Sequence, residues 1–289
     1  MKILLTGASG FLGRHILSAL HQSGHEVRAL SRQTGADFNA LRTPENWLPE
    51  LAGMEAVINC VGIIAESASQ RFASLHVEAP IALFRACALS PVRRVIQISA
   101  LGADDMASSP YHLSKRAADE ALRGEALEWF ILRPSLVVGA GGRSTAWFRR
   151  MANSPVLVLP SSGEQAVQPI HVSDVAATVL KCLEPGVPAR LTLDLVGPEA
   201  MTFRRFLLSL RQDKRLNASL IWQIPPPWLM ALSYLAAPFQ PLLSPDNLHM
   251  LQRGNTADVA PLAQFLGRMP ISINDNPNCE ESGHELSAA

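Results

Sequence analysis

Thr6-Gly7-Ala8-Ser9-Gly10-Phe11-Leu12-Gly13 follows an aliphatic run, Lys2 to Thr6, and opens an amphipathic stretch, Phe11 to Ser23. A strand that passes through three spaced glycines into a helix is a phosphate-binding turn. Gly7 permits the tight turn, Gly10 lets backbone approach a pyrophosphate, and Gly13 allows close helix packing. The helix N-terminus, with its unpaired N–H groups, faces the anion. Thr6, Gly7, Ser9, Gly10, Phe11, Leu12 and Gly13 are therefore candidate dinucleotide-binding residues.

Outward from this turn, short β-branched or aliphatic runs alternate with longer amphipathic ones, as expected of a parallel sheet with crossover helices. The pattern predicts strands over Lys2 to Thr6, Glu26 to Leu30, Ala56 to Cys60, Val95 to Ser99 and Trp129 to Leu132. Helices are expected over Phe11 to Ser23, Phe72 to Leu89 and Tyr111 to Arg123, with one more helix near Ser173 to Leu183 and a strand near Leu191 to Val196. The fold class is α/β, a doubly wound parallel sheet. Residues 1–200 are expected to form the nucleotide-binding domain, 201–273 a smaller, mainly helical substrate region punctuated by proline, and 274–289 a polar flexible tail.

Composition narrows the function. With 289 residues, 48% of them hydrophobic, the chain can bury a full α/β core. Lys+Arg and Asp+Glu balance at 25 each, so no nucleic-acid footprint is present and a small-molecule substrate is expected. Cys60, Cys87, Cys182 and Cys279 form no CxxC pair, which argues against a zinc site or a disulfide framework, and no metal is expected. The opening apolar run is too short for a signal peptide, and Trp228 to Phe239 is too short to span a bilayer. A cytoplasmic location is the expectation.

The second predicted strand ends in Ser31-Arg32 rather than Asp or Glu. A carboxylate there would repel a 2′-phosphate, whereas a hydroxyl and a guanidinium bind one. NADP(H) is the expected cofactor, with NAD(H) the alternative. Ser99 closes a strand, and Tyr111 and Lys115 stand four apart at the start of a helical pattern, so phenol and ammonium share a face. A cation near a phenol favours phenolate and brings its pKa toward working pH.

The GxxGxxG spacing, the Ser99, Tyr111 and Lys115 set, and the phrase Ser99-Ala100-Leu101-Gly102-Ala103 resemble the extended and atypical short-chain dehydrogenase/reductase families. The resemblance covers about the first 200 residues and extends to the group related to the nucleotide-binding accessory subunit of respiratory complex I and to NAD-dependent epimerase/dehydratases. It implies a Rossmann fold, Tyr111 as general acid or base, Lys115 lowering its pKa and binding the nicotinamide ribose, and Ser99 orienting the substrate oxygen. By the same resemblance Asp37 and Phe38 contact adenine, Val61 and Gly62 leave room for the cofactor, and Pro134 borders the nicotinamide. The sequence departs from the family at His76, where many members carry an Asn of the proton relay; His76 either shuttles protons there or packs the helix. His171 in the Gln168 to Ala176 segment faces the cleft or serves structure, and Trp147, Phe148, Trp222, Trp228 and Tyr234 line an apolar pocket, dock a partner or pack a core. The function expected is an NADP(H)-dependent oxidoreductase or epimerase acting on a small carbonyl or hydroxyl substrate. The alternative is a non-catalytic NADPH-binding accessory or assembly subunit, with peripheral association to a membrane complex, or a homodimer, as its assembly.

Overall fold

The structure, a computed structural model, describes residues 1–160, 162–211, 220–224, 228, 233 and 245–273. The chain divides into two compact units: Met1–Pro134 with Val172–Leu195 and Ala260–Arg268, and Ser135–His171 with Val196–Val259 and Met269–Ala289.

The first unit is built on strands β1 (Lys2–Thr6), β2 (Glu26–Leu30), β3 (Ala56–Asn59), β4 (Arg94–Ile98) and β5 (Glu128–Pro134), joined by a later strand, β10 (Leu191–Leu195). The six pair in the order β10-β5-β4-β3-β1-β2, every pair parallel. This is the doubly wound α/β sheet that the sequence predicts. Register places Leu5, Ile58, Ile96 and Phe130 in one row across four strands, all fully buried. The next row runs Thr6, Asn59, Gln97, and it is polar and equally buried.

Apolar side chains on both faces of every central strand require helices on both sides. Helix α1 (Phe11–Gln22) packs beside α6 (Val172–Leu183). On the face of Leu4, Val57, Val95 and Trp129 lie α2 (Pro44–Leu51), α3 (Ala79–Ala88) and α4 (Pro110–Arg123), which contribute Trp47, Leu83, Phe84 and Leu122 to the same core. Helix α2 has no counterpart in the sequence reading; Thr43 and Asn46 form its capping box and Pro44 opens it. The single helix expected over Phe72 to Leu89 is divided: a π-helical turn over Ala73–Glu78 precedes α3. Pro80 lacks the N–H that would continue the regular ladder, and the Ala79 N–H instead reaches the Ser74 carbonyl, five residues back.

The second unit contains β6 (Val137–Val138), α5 (Arg143–Ala152), β7 (Val156–Pro160), β8 (Ala166–Val167), β9 (Ile170–His171), β11 (Met201–Thr202), α7 (Phe203–Ser209), β12 (Leu220–Ile224) and a helix over Pro245–Arg253. Its strands pair two by two: β6 with β9 and β7 with β12 in parallel, β8 with β11 antiparallel. Phe148, Phe203 and Phe206 meet edge-on at 5.4–5.7 Å or tilted at 6.1 Å in its core. Where the sequence reading places one boundary near residue 200, the chain leaves the first unit after Pro134, returns at Val172, leaves again after Leu195 and returns once more over Ala260–Arg268. The segment 135–171 begins with a two-residue strand, Val137–Val138, too short to show a period, although the sequence turns richer in proline and scattered apolar residues after Arg133-Pro134. Residues 274–289 and Tyr234 lie outside the described residues.

Candidate dinucleotide site

The turn after β1 is shaped by three contacts that exclude side chains. Gly7 has φ +71°, and a Cβ there would meet the Cys60 carbonyl at 2.8 Å and the Val61 nitrogen at 2.9 Å. A Cβ on Gly13 would fall 2.1 Å from the Gly7 carbonyl oxygen, so α1 sits directly on the turn. Gly10 caps α1 without any side-chain hydrogen bond, and no acidic residue occupies the first turn. The N–H groups of that turn therefore remain available to an anion at the positive end of the helix.

Gly7, Ser9 and Gly10 form one wall of a cleft of about 510 Å³. Ser31 and Arg32 follow β2 into its second wall, Asp37 and Phe38 close one end, and Val61 and Gly62 form the wall beyond β3. The structure thus gathers nine of the proposed cofactor-binding residues around one space. The others stand outside that lining. Thr6 is fully buried and its hydroxyl donates to Asn59 Oδ1 at 2.6 Å. Gly13 is buried under the turn, Phe11 and Leu12 are half-buried in the first turn of α1, and Pro134 is buried at the end of β5. Gln33, Asn39, Cys60, Ile63, Ser69, Gln70 and Leu75 also line the cleft and were not anticipated; most belong to loops, where no motif marks them.

Ser31 does two things at once. Its side chain accepts the Thr34 N–H at 3.4 Å and its own N–H reaches Thr34 Oγ1 at 2.8 Å, a capping box that stiffens the turn presenting Arg32. Asp37 Oδ1 accepts the Asn39 N–H at 2.9 Å. Phe38 packs against Trp47 at 6.2 Å between ring centroids, so it belongs to the core as well as to the cleft.

Lys115 is buried in α4 and its Nζ donates to the carbonyls of Val61 at 3.2 Å and Ile98 at 3.1 Å. Burial brings its pKa down to about 8, opposed by the Asp119 carboxylate. Tyr111 lies one turn earlier, after Ser109, whose hydroxyl accepts the His112 N–H at 3.2 Å and caps the helix. The phenol ring meets Phe72, His76 and His112 edge-on at 5.4–6.0 Å.

Three of these side chains have surroundings that the sequence does not record. The Tyr111 pKa is not lowered: burial first, then the Asp119 charge, push it up to about 12, and the phenol stays protonated. Ser99 Oγ donates to Asp119 Oδ2 at 2.6 Å, which leaves its lone pairs for any other partner. His76 is bonded through both ring nitrogens. Its Nε2 accepts the Ile63 N–H at 2.9 Å, which leaves the proton on Nδ1, 2.9 Å from Ser114 Oγ; Ser114 in turn donates to the Tyr111 carbonyl at 2.7 Å. Burial, then the Lys115 charge, hold the imidazole neutral with a pKa of about 2. Asp119 is the residue that the sequence reading missed. It stands four residues beyond Lys115, a spacing that carried the signal.

Elsewhere, Asp174 near the start of α6 is fully buried and paired with Arg268 at 2.6 Å. Trp222 and Trp228 are exposed, whereas Phe148 is packed in the second unit's core. Among the described residues no group of three His, Cys, Asp or Glu is arranged to hold a metal, and no helix is long and apolar enough to cross a membrane.

A family model described as the NAD dependent epimerase/dehydratase family matches residues 3–190. The chain belongs to that family. NAD dependent epimerase/dehydratase proteins are oxidoreductase-type enzymes on a Rossmann sheet, and the chain is one of them. A ceramide reductase from Caulobacter vibrioides is 28% identical over 282 residues, covering 91% of this chain and 88% of its own length. The mitochondrial NADH dehydrogenase [ubiquinone] 1 alpha subcomplex subunit 9 of Arabidopsis thaliana is 29% identical over 216 residues, 68% of this chain and 54% of that protein. In fold, the chain matches the UDP-glucuronic acid 4-epimerase from Bacillus cereus in complex with NAD, with a TM-score of 0.70 over 95% of both chains at 17% identity.

Proposed function

We propose that this member of the family is an NADP(H)-dependent oxidoreductase that interconverts a carbonyl and a hydroxyl on a small or lipid-like substrate. One observation carries the reading: Gly62 both lines the cleft and lies against Lys115, so that a Cβ there would crowd Nζ at 3.1 Å. The contact supports reading Lys115, and with it Tyr111 one turn earlier on α4, as the catalytic end of the dinucleotide space.

The residues fit a dinucleotide. Gly7 lets the turn lie against the Cys60 backbone, the start of α1 offers uncapped N–H donors, and the end of β2 offers a hydroxyl and a guanidinium rather than a carboxylate. Gly7, Ser9, Gly10 and the first turn of α1 would hold the pyrophosphate, Ser31 and Arg32 a 2′-phosphate, and Asp37 and Phe38 the adenine. Val61, Gly62, Lys115 and Pro134 would border the nicotinamide end. When bound, the cofactor supplies the hydride. Reduction also needs a proton on the substrate oxygen, and Tyr111, kept protonated by burial, is the group that gives it. The Lys115 ammonium favours the negative charge that grows on that oxygen.

The test is calorimetry with NADPH and NADH, followed by NADPH oxidation against a panel of ketones that includes a ceramide-type carbonyl and sugar-nucleotide substrates. Binding of NADPH and turnover of at least one carbonyl are expected. Failure to bind either dinucleotide would sink the reading. Tight NADPH binding without turnover would favour the second reading, an accessory subunit that holds its nucleotide. The similarity to the NADH dehydrogenase subunit and the committed proton of Ser99 support that alternative.

A further inference from the structure

Asp119 is the fully buried carboxylate of α4. It follows Lys115 by one helical turn and Tyr111 by two, so all three project from one side of the helix. Two other elements reach it: Ser99, just past β4, donates to Oδ2 at 2.6 Å, and Arg133 on β5 places Nε 3.6 Å from the same oxygen. Oδ1 has no hydrogen-bond partner among the described residues. A buried carboxylate with a bare oxygen is costly in stability, so its presence asks for a role. Lys115 supplies the context, since its hydrogen-bond acceptors, the Val61 and Ile98 carbonyls, carry no charge. A desolvated ammonium with only neutral acceptors gives up its proton readily.

We propose that Asp119 is a positioning residue of this site: buried one helical turn beyond Lys115 and hydrogen-bonded by Ser99 at 2.6 Å, its carboxylate fixes the Ser99 hydroxyl and sets a negative charge on the Lys115 side of α4. The idea deepens the oxidoreductase reading and rests on it for what the ammonium is used for. With Asp119 ionised, Ser99 spends its proton on the carboxylate and offers only lone pairs elsewhere.

The surrounding charges agree with this division of labour. Asp119 is the largest influence opposing the burial that lowers Lys115. Burial raises Asp119 itself to about 6, against the Ser99 hydrogen bond and the charges of Arg133, Lys115 and Arg123. Burial keeps Cys60, beyond β3, a neutral thiol, and His76 beside it is held neutral. On β10, Asp194 pairs in register with Arg133 and also feels Asp104. Burial thus pulls the two groups toward each other, raising the carboxyl and lowering the ammonium, while each charge favours the other.

The test uses the purified full chain labelled with ¹³C at lysine Cε and aspartate Cγ, titrated by NMR from about pH 5 to about pH 10. Signals are assigned by their loss in Lys115→Arg and Asp119→Asn. Lys115 is expected to titrate near 8, to fall by about one unit or more in Asp119→Asn, and to recover in Asp119→Glu. Ser99→Ala should raise the Asp119 midpoint, because the lost hydrogen bond favoured the charged form. A merely structural aspartate would alter stability and leave the lysine midpoint in place. Should Asp119→Asn fail to fold, the wild-type curve decides: the Lys115 signal must show a second, smaller inflection at the Asp119 midpoint. A one-step Lys115 curve, or a midpoint unmoved in Asp119→Asn, overturns the proposal. Calorimetry on the same samples reports separately on the cofactor reading.

Discussion

His76 Nε2 accepts the backbone N–H of Ile63 at 2.9 Å, so a side chain of the π-helical turn holds the loop that walls the cleft. The bond exists only while the imidazole is neutral, and this sets a pH dependence. In the folded protein the His76 pKa is about 2, far below its ordinary 6.5. The unfolded chain therefore binds the proton first as pH falls below 6.5, and stability contributed by the neutral ring declines with acid. Between pH 6.5 and 5 the loss is about 2 kcal/mol. Urea denaturation at the two pH values is expected to show that wild type falls more than His76→Asn by about this amount. Equal declines would remove His76 from the acid limb.

Gly62→Val is expected to crowd the Lys115 ammonium and narrow the cleft together. We expect NADPH affinity to drop about tenfold, read by calorimetry, with the melting temperature changed much less. An unchanged dissociation constant would separate Lys115 from the cofactor space.

Arg32→Glu replaces the guanidinium that follows β2 with a carboxylate in the same wall. Affinity for NADPH should fall by about tenfold to a hundredfold while NADH binding is spared, since only a 2′-phosphate meets the new charge. If both dinucleotides weaken alike, Arg32 does not read the phosphate.

Tyr111→Phe keeps the ring contacts with Phe72 and His76 and removes the proton donor. Turnover of any carbonyl substrate should fall by about 10²- to 10⁴-fold with NADPH affinity within about twofold of wild type. Retained turnover would assign the proton to another group.

Gly13→Ala puts a methyl 2.1 Å from the Gly7 carbonyl, and backbone cannot yield as a side chain tip would. Destabilisation of about 3 kcal/mol is expected from thermal or urea unfolding, with loss of NADPH binding as the turn is displaced. A variant as stable as wild type would contradict the packing of α1 on the turn.

Much of this was legible in the sequence because it is local. The spacing of Gly7, Gly10 and Gly13 located β1 and α1, alternation of apolar runs located the remaining strands of the sheet, and Ser31-Arg32 located a cleft wall. What escaped depended on crossovers that bring distant side chains together. Ser99 was expected to face a substrate, yet its partner is Asp119, twenty residues away on the next helix. His76 looked equivocal until Ile63 and Ser114 were seen to occupy both of its nitrogens. The wall residues Gln33, Ser69 and Gln70 come from loops whose path no periodicity records.

Beneath the cleft, Thr6 donates to Asn59 Oδ1 at 2.6 Å and Asn59 Nδ2 donates to Gln97 Oε1 at 2.7 Å, while the Val61 N–H leans on Oδ1 at 3.3 Å. The amide of Asn59 is thus polarised in one sense, receiving from one side and giving to the other. Deamidation at this single position would swap a nitrogen for an oxygen and set two acceptors face to face in a dry interior. Chemical ageing of one side chain could loosen the platform under the glycine turn without touching any residue that meets a ligand.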